Sequence, residues 1–448
     1  MKQTIVIVIC LSLIIISSSS ALSKINWSPS TVLSSESNLY SYRGNIVIDS
    51  LQTLHFVWKD KSSILNSSSD WDLFYKYKKQ NNTWSTTELI TPLSINDSNC
   101  LSLEIDSNDT LHLAYKDQTD ILNAGSDWDI FYKSKPFNLN WTQPVLISDL
   151  STEVCTCPSI TIDKDDTIHI TWADTTDIYN SDKDSDIYYK KKIINQNWTD
   201  SELISKNSTN TSIDPDIAVD DYLTVHIVWY EKINGNFEIL YTYQLNNREW
   251  SEFEIVSTNC TDVSSDPTIA IDEKNNLHLI WVDKTNLFDN GVDYDIFYRF
   301  KPFGKNWETI EVLSINSISK CRWPFMIIDD NDIIHVAWAD QTPYDNKQGD
   351  HDIVYLSKKA DSSSWGSMDL VSTDSKYDSN WPQLIVDGNN TVHMTWWDEK
   401  PDEWITYYSY GNQEIVKDDI DAPSISFLYG VMLVLCIFLI RKKRKIKR

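Results

Sequence analysis

In IDKDDTIHITWAD, residues 162–174, apolar and polar side chains alternate around a tight polar run. A two-residue period predicts β-strands joined by a turn, not a helix. The pattern recurs along the chain. Histidines stand at His55, His112, His169, His226, His278, His335 and His393, nearly evenly spaced, with only the step from His226 to His278 clearly shorter. Each has an Asp six residues before it, from Asp49 to Asp387, and an acid five residues after it, from Asp60 to Asp398. Each also has an aromatic three residues after it: Trp58, Tyr115, Trp172, Trp229, Trp281, Trp338 and Trp396. A single active site has no use for seven copies of its base, so these histidines are expected to be scaffold. A buried imidazole then needs a partner for each nitrogen, either backbone or a turn aspartate.

Every unit carries four strand signals. In the third they are SITID (159–163), TIHITWAD (167–174), SDIYYKKK (185–192) and WTDSELIS (198–205), separated by Asp, Asn, Ser and Gly turns. Both faces of such a strand are bulky, so a lone four-stranded unit could not cover them. Seven units stacked around an axis could, which predicts an all-β, seven-bladed propeller of four-stranded antiparallel blades. The tryptophan opening the fourth strand recurs at Trp84, Trp141, Trp198, Trp250, Trp307 and Trp365, but the seventh unit stops at TYYSYGN (406–412). Its missing strand is expected at the front, in NWSPSTVLS (26–34), where Trp27 precedes Trp84 by the same step that separates Trp84 from Trp141. The N-terminal strand would then close the last blade.

The ends read differently. Lys2, an apolar run from Ile5 to Ile16 and Ala21-Leu22-Ser23 have the layout of a secretory signal, residues 1–23. A propeller ectodomain is assigned to 24–415 and a linker to 416–424. Ile425–Ile440 is an uncharged stretch assigned as a transmembrane helix, and 441–448, RKKRKIKR, as a basic cytoplasmic tail. The expected localisation is a single-pass protein of the cell membrane with its propeller outside. Eight of the 39 basic residues and none of the 65 acidic ones lie in the signal and tail, leaving the exterior part at 31 against 65, a formal −34. Such a surface repels nucleic acid and attracts cations.

The unit DPTIAID…NLHLIWVD…DYDIFYRFKPFGKNWETIEVLS resembles the Asp-box (bacterial neuraminidase repeat) sialidase-like propellers over all seven repeats. The box itself survives only as remnants such as FGKNW (303–307) and FNLNW (137–141). For an active sialidase the resemblance implies six blades, three arginines on a substrate carboxylate, a Tyr nucleophile with a Glu partner, and an Asp acid. Here the blade count is seven, and SYRGN (41–45) replaces the expected Arg-Ile-Pro. Only Arg43, Arg248, Arg299 and Arg322 are exterior arginines, at most two of them at the relevant end. No catalytic residue carries over.

With antiparallel blades, the loops between second and third strands and the links between blades share one end, the long-loop face; the tight turns share the other. Scaffolded long loops are where ligand sites concentrate. The residue entering the first strand varies between blades: Arg43, Cys100, Cys157, Asp214, Asp266, Trp323 and Trp381, with Arg322 beside Trp323. Arg43, Arg322, Trp323, Trp381, Asp214 and Asp266 are therefore the candidate ligand-binding residues, tryptophan by stacking and arginine by its fork of donors, with interblade packing as the structural alternative. The exterior cysteines, Cys100, Cys155, Cys157, Cys260 and Cys321, are candidate disulfides: Cys100 with Cys155 or Cys157, Cys260 with Cys321, and one thiol over. A zinc cluster is the alternative, against which CTC lacks a two-residue spacer. Asp182, Asp184 and Asp186 have the alternate spacing of a calcium loop but lack its Gly and distal Glu. The same D-x-D recurs at Asp70/Asp72, Asp127/Asp129, Asp293/Asp295 and Asp350/Asp352, where it would pin loops through backbone amides. Calcium is thus the one candidate cofactor. His351, in QGDHD, stands outside the repeat and is expected in solvent. Sequons at Asn26, Asn66, Asn81, Asn96, Asn108, Asn140, Asn197, Asn207, Asn210, Asn259 and Asn389 allow glycosylation.

The resulting expectation is a membrane-anchored surface propeller that binds a glycan or a protein on its long-loop face without turning it over. A carbohydrate-active hydrolase or lyase is the alternative, and an envelope protein with no small ligand a third.

Overall fold

The computed structural model describes residues 24–412, apart from 68, 178–183, 207, 209, 247, 288–290, 292 and 345–348. The signal, linker, transmembrane and tail assignments and Asp182 lie outside these residues. Among the described residues no helix is long and apolar enough to cross a membrane.

The described residues form seven antiparallel sheets, six of them from four consecutive strands in simple up-and-down order. In blade 3 the strands are Ser159–Ile162, Ile168–Asp174, Asp186–Lys192 and Glu202–Leu203, counted outward from the axis. The outer strand is shorter than the sequence suggests: Trp198 makes only an isolated bridge to Lys192 before the two-residue strand begins. The seventh sheet takes its outer edge from the N-terminus, Asn26–Trp27 and Thr31–Val32 pairing with Trp404–Asn412. The ring is closed as expected.

Each hydrophobic cluster bridges two neighbouring blades. One joins Tyr298 and Ile280 to Trp338 and Val336, and another joins Leu33 and Tyr408 to Phe56 and Trp58 across the closure. Burial of apolar faces is therefore satisfied between blades, not within them.

The repeated polar residues follow the same rule. Every scaffold histidine places Nδ1 2.6–2.8 Å from a third-strand tyrosine hydroxyl, from Tyr75 in blade 1 to Tyr408 in blade 7. Nε2 lies 3.2–3.5 Å from the turn aspartate. The aspartate's other oxygen accepts backbone N–H groups of its own turn, as Asp163 does from Asp165 and Thr167. The expected Asp–His pair is present; the second partner is tyrosine, not backbone. Burial holds His112, His169, His226 and His278 below the usual imidazole range. Burial alone would raise Asp387, but hydrogen bonds from His393 and the turn amides prevail and hold it at about 2.

The second Asp of each D-x-D pair is also scaffold. Asp72, Asp129, Asp186, Asp295 and Asp352 accept a Ser or Thr hydroxyl from beyond the outer strand at 2.5–2.9 Å. The same hydroxyl accepts a third-strand N–H, as Ser205 does from Ile187. The pin is a side-chain hydroxyl, where backbone amides were expected.

Among the described residues one disulfide forms, Cys100–Cys157, joining the inner strand of blade 2 to the segment that leads into the inner strand of blade 3. The expected Cys260–Cys321 bridge does not, and Cys155 is free with them. Each of the three occupies a position held by serine in other blades. Cys155 Sγ meets Asp174 Oδ2 at 3.2 Å, as Ser98 meets Asp117 and Ser264 meets Asp283. Cys321 pairs in register with Asp340, and Cys260 hydrogen-bonds Asp283 where Ser317 meets Asp340. Each thiol is turned into its own blade, so none faces another.

Candidate functional site

The inner strands carry the site because all but that of blade 3, which pairs without a register shift, begin with a bulge. Register shifts occur between Tyr42/Asn45, Asn99/Ser102, Ile213/Asp216, Ser265/Thr268, Arg322/Phe325 and Asn380/Gln383. At each shift one residue is left-handed: Arg43, Cys100, Asp214, Asp266, Trp323 and Trp381, with φ of 40–57°. A bulge re-aims the side chain at that point. The result is one side chain per blade around a single axial cavity of about 260 Å3, including every candidate residue except Arg322.

Around this rim the side chains are already engaged with one another. Trp323 and Trp381 stack with centroids 5.0 Å apart at 21°. The Arg43 guanidinium lies 3.9 Å over Trp381, and its Nη1 is 2.8 Å from Cys100 Sγ and 3.7 Å from Cys157 Sγ. Trp381 is therefore flanked by Trp323 and Arg43, so its ring is not the free stacking surface expected of it. Arg43 Nε is buried without a hydrogen-bond partner, and burial lowers the guanidinium's pKa.

The other side of the rim is acidic. Tyr230 donates to Asp214 Oδ2 at 3.3 Å, and burial, reinforced by the charge of Asp266, pushes Asp214 up to about 6. Burial also raises Asp266, against the pull of Arg322 and Arg43. Two residues beyond Ser102 on the same strand, burial with the nearby Asp216 charge takes Glu104 to about 7. Lys59 Nζ sits 3.7 Å over the Tyr42 ring and contacts Asn99 Oδ1. Burial, then the Arg43 and Lys116 charges, draw Lys59 down to about 5.

Beside the axis, an open groove of about 740 Å3 runs over blades 6, 7 and 1, walled by Tyr40, Trp71 and Trp404 with Lys61, Lys400 and Asp378 among its polar groups. Trp71 and Trp404 face each other at 6.2 Å and 19°, and Tyr40 meets Trp404 edge-on at 5.1 Å. Tyr42 joins groove to cavity: it contacts Trp71, Trp404 and Trp397, and is followed by Arg43. Sequence reasoning missed this groove, although a signal existed. The position at the start of the third strand reads Trp71, Trp128, Ser185, Phe237, Tyr294, His351 and Trp404, varying between blades as the axial rim does.

His351 is not in solvent as expected. Its Nδ1 lies 2.9 Å from Asp378 Oδ1, and its ring 6.1 Å from Trp323. Arg322 lies 5.7 Å from the Trp323 ring, and its charge helps hold Asp378 down. Among the described residues no group of three or more His, Cys, Asp or Glu side chains is placed to hold a metal ion. Of the proposed calcium loop, Asp186 Oδ1 accepts from Ser205, and Asp182 lies outside the described residues.

No family model and no curated protein matches the chain. Solved structures do. A Dyadobacter fermentans protein of unknown function is 11% identical, with 75% of this chain and 99% of that one covered and a TM-score of 0.51. The polysaccharide lyase Uly1 is 10% identical, covering 82% and 89%, with a TM-score of 0.50. A Trypanosoma rangeli sialidase is 10% identical at a TM-score of 0.47, covering 83% of this chain and 55% of its own. At such identities the likeness shows the fold and no more.

Proposed function

We propose that this protein is a membrane-anchored surface receptor that binds a carbohydrate chain on its long-loop face, without catalysis. The observation that carries the reading is the Tyr40–Trp71–Trp404 groove leading through Tyr42 to the axial cavity. Aromatic walls interspersed with ammonium and carboxylate groups suit the apolar faces and hydroxyl edges of a sugar. Arg43, the Trp323–Trp381 stack and the disulfide form the floor on which the chain's end rests. The likeness of fold to a polysaccharide lyase agrees with a carbohydrate ligand. The test is glycan-array binding by the full-length protein, then calorimetry on the best ligand. Trp404→Ala and Trp71→Ala are expected to weaken binding at least tenfold, with reducing-end release and unsaturated product both at background. Unchanged affinity in both variants rejects the groove.

One observation favours a second reading. Asp214 and Asp266 are half-buried carboxyls at the same rim, both raised, with Tyr230 on the first. Groups displaced in this way are candidates for acid–base work on a glycosidic bond. Turnover of the ligand that Asp214→Asn abolishes while binding persists establishes the hydrolase or lyase.

A further inference from the structure

Two clefts on the turn face, opposite the groove, have the same walls. One, of about 420 Å3, lies between blades 1 and 2, and the other, of about 380 Å3, between blades 4 and 5. Tyr77, Glu88, Lys135 and Phe137 line the first; Tyr243, Glu254, Lys301 and Phe303 stand at the corresponding places in the second. Each cleft needs two additions to the repeat. A second tyrosine, two residues after the histidine-bound one, occurs in blades 1, 4 and 7 as Tyr77, Tyr243 and Tyr410. A Pro-Phe pair in the hairpin between third and outer strands occurs in blades 2 and 5, as Pro136-Phe137 and Pro302-Phe303. Of the seven interfaces, only two bring both together. Where blade 7 meets blade 1, Lys79-Gln80 replaces the pair, and Lys78 Nζ lies 5.5 Å from the Tyr410 ring. The propeller closes without these additions, so the twin clefts are not a demand of the fold.

Each proline fixes the start of its hairpin, and its carbonyl accepts the N–H three residues on, Leu139 for Pro136 and Lys305 for Pro302, at 2.9 Å. The phenylalanine that follows stands at the mouth of the cleft, 42% exposed for Phe137 and 53% for Phe303. Phe303 is steadied from outside by Tyr222, stacked at 5.1 Å and 22°. Inside, Lys135 pairs with Glu88 at 3.1 Å and Lys301 with Glu254 at 3.0 Å. Their ammonium groups lie 5.2 and 5.3 Å from the Tyr75 and Tyr241 rings. The Tyr75 and Tyr241 hydroxyls are taken by His55 and His226. Those of Tyr77 and Tyr243 have no hydrogen-bond partner among the described residues. A cleft of this kind offers an aromatic edge, a free phenol and a carboxylate whose charge is already balanced, in a volume usual for a small ligand. Balanced charges favour an uncharged occupant, and two copies of one small site suit a unit that is presented repeatedly.

We propose that the two clefts are twin binding sites for a neutral hexopyranose unit, separate from the groove. The apolar face of the sugar lies against Phe137 or Phe303, and its hydroxyls reach Tyr77 and Glu88 or Tyr243 and Glu254. The test uses the full chain carrying Trp71→Ala and Trp404→Ala, so that the groove is disabled and its own success or failure does not enter. The protein is made without N-glycans, because the sequon residue Asn140 lines the first cleft. Glucose, galactose and mannose are the probes, read by saturation-transfer NMR. At least one is expected to give a signal that falls about twofold in Phe303→Ala and to background when Phe137→Ala is added. Both phenylalanines are exposed, so the variants should keep the parent's melting curve. Phe137→Trp with Phe303→Trp, which keeps the aromatic edges, should keep the signal. Tyr77→Phe with Tyr243→Phe should weaken it at least threefold, an independent reading should either hairpin rearrange. No signal from any of the three sugars overturns the proposal, and so does a signal that the double alanine variant leaves unchanged.

Discussion

The thiols of Cys155, Cys260 and Cys321 show how a side chain's neighbours decide its chemistry. Each stands where other blades have a serine, faces an acid of its own blade, and is raised far above the ordinary thiol range by burial and that acid's charge. A thiol so placed is neither nucleophile nor disulfide partner. Alkylation of the intact protein followed by mass mapping should find Cys100–Cys157 linked and these three reduced and unmodified until unfolding. Cys155→Ser and Cys321→Ser should hold stability within about 1 kcal/mol, because the replacement is the residue found in neighbouring blades. A Cys260–Cys321 crosslink in the map would contradict the geometry. The substitution pattern was legible in the sequence, as the repeat places Cys155 over Ser98 and Cys321 over Ser264. What hid it was counting cysteines as cysteines instead of aligning them within the repeat. The Asp–His–Tyr arrangement was half legible: Asp and His share one hairpin, whereas the tyrosine arrives from the next strand through register.

The inner strand with its entry bulge is the element that converts a repeat into a site. Its periodicity fixes the fold, and its one left-handed residue is free to differ. That is why Arg43, Asp214 and Trp381 share a cavity although they belong to blades 1, 4 and 7. That much was readable from variation at a fixed repeat position. The Trp381–Arg43 contact was not, since sequence gives adjacency of blades but not which ring faces are covered. The inner strand of blade 2 also carries Glu104, raised to about 7 from an ordinary 4.5. A raised carboxyl is protonated in the fold but ionised in the unfolded chain between those values. Its contribution is therefore intact below pH 4.5 and is lost as pH rises toward 7, up to about 3 kcal/mol at about 1.4 kcal/mol per unit. Glu104→Gln removes this loss. Urea titrations should show the variant gaining on the parent from pH 5 to pH 8, then a constant difference. A difference independent of pH would mean the carboxyl is solvated.

At the scale of the molecule, stability depends on a circuit with no beginning. Each outer-strand tryptophan packs edge-on against the histidine-bound tyrosine of the preceding blade: Trp141 on Tyr75, Trp198 on Tyr132, Trp307 on Tyr241 and Trp365 on Tyr298. Trp27, from the start of the chain, does the same to Tyr355 of blade 6, and Trp84 to Tyr408 of blade 7. Buried Ile25 and the hydrogen bond from Gly388 N–H to Gln52 Oε1 add links on either side of the closing blade. If the repeat were an open solenoid, a terminal tryptophan would touch one neighbour at a frayed edge and its loss would cost little. In a closed ring it is equivalent to any interior one. Trp27→Ala should therefore cost as much as Trp84→Ala, roughly 2 kcal/mol each because the rings are only half-buried, against about 3–5 kcal/mol for a fully buried tryptophan. Paired urea unfolding of the two variants decides the matter. Similar losses require the N-terminal strand to be a working part of blade 7. A near-silent Trp27→Ala would leave the seventh blade open and undo the placement of loops on which the groove depends.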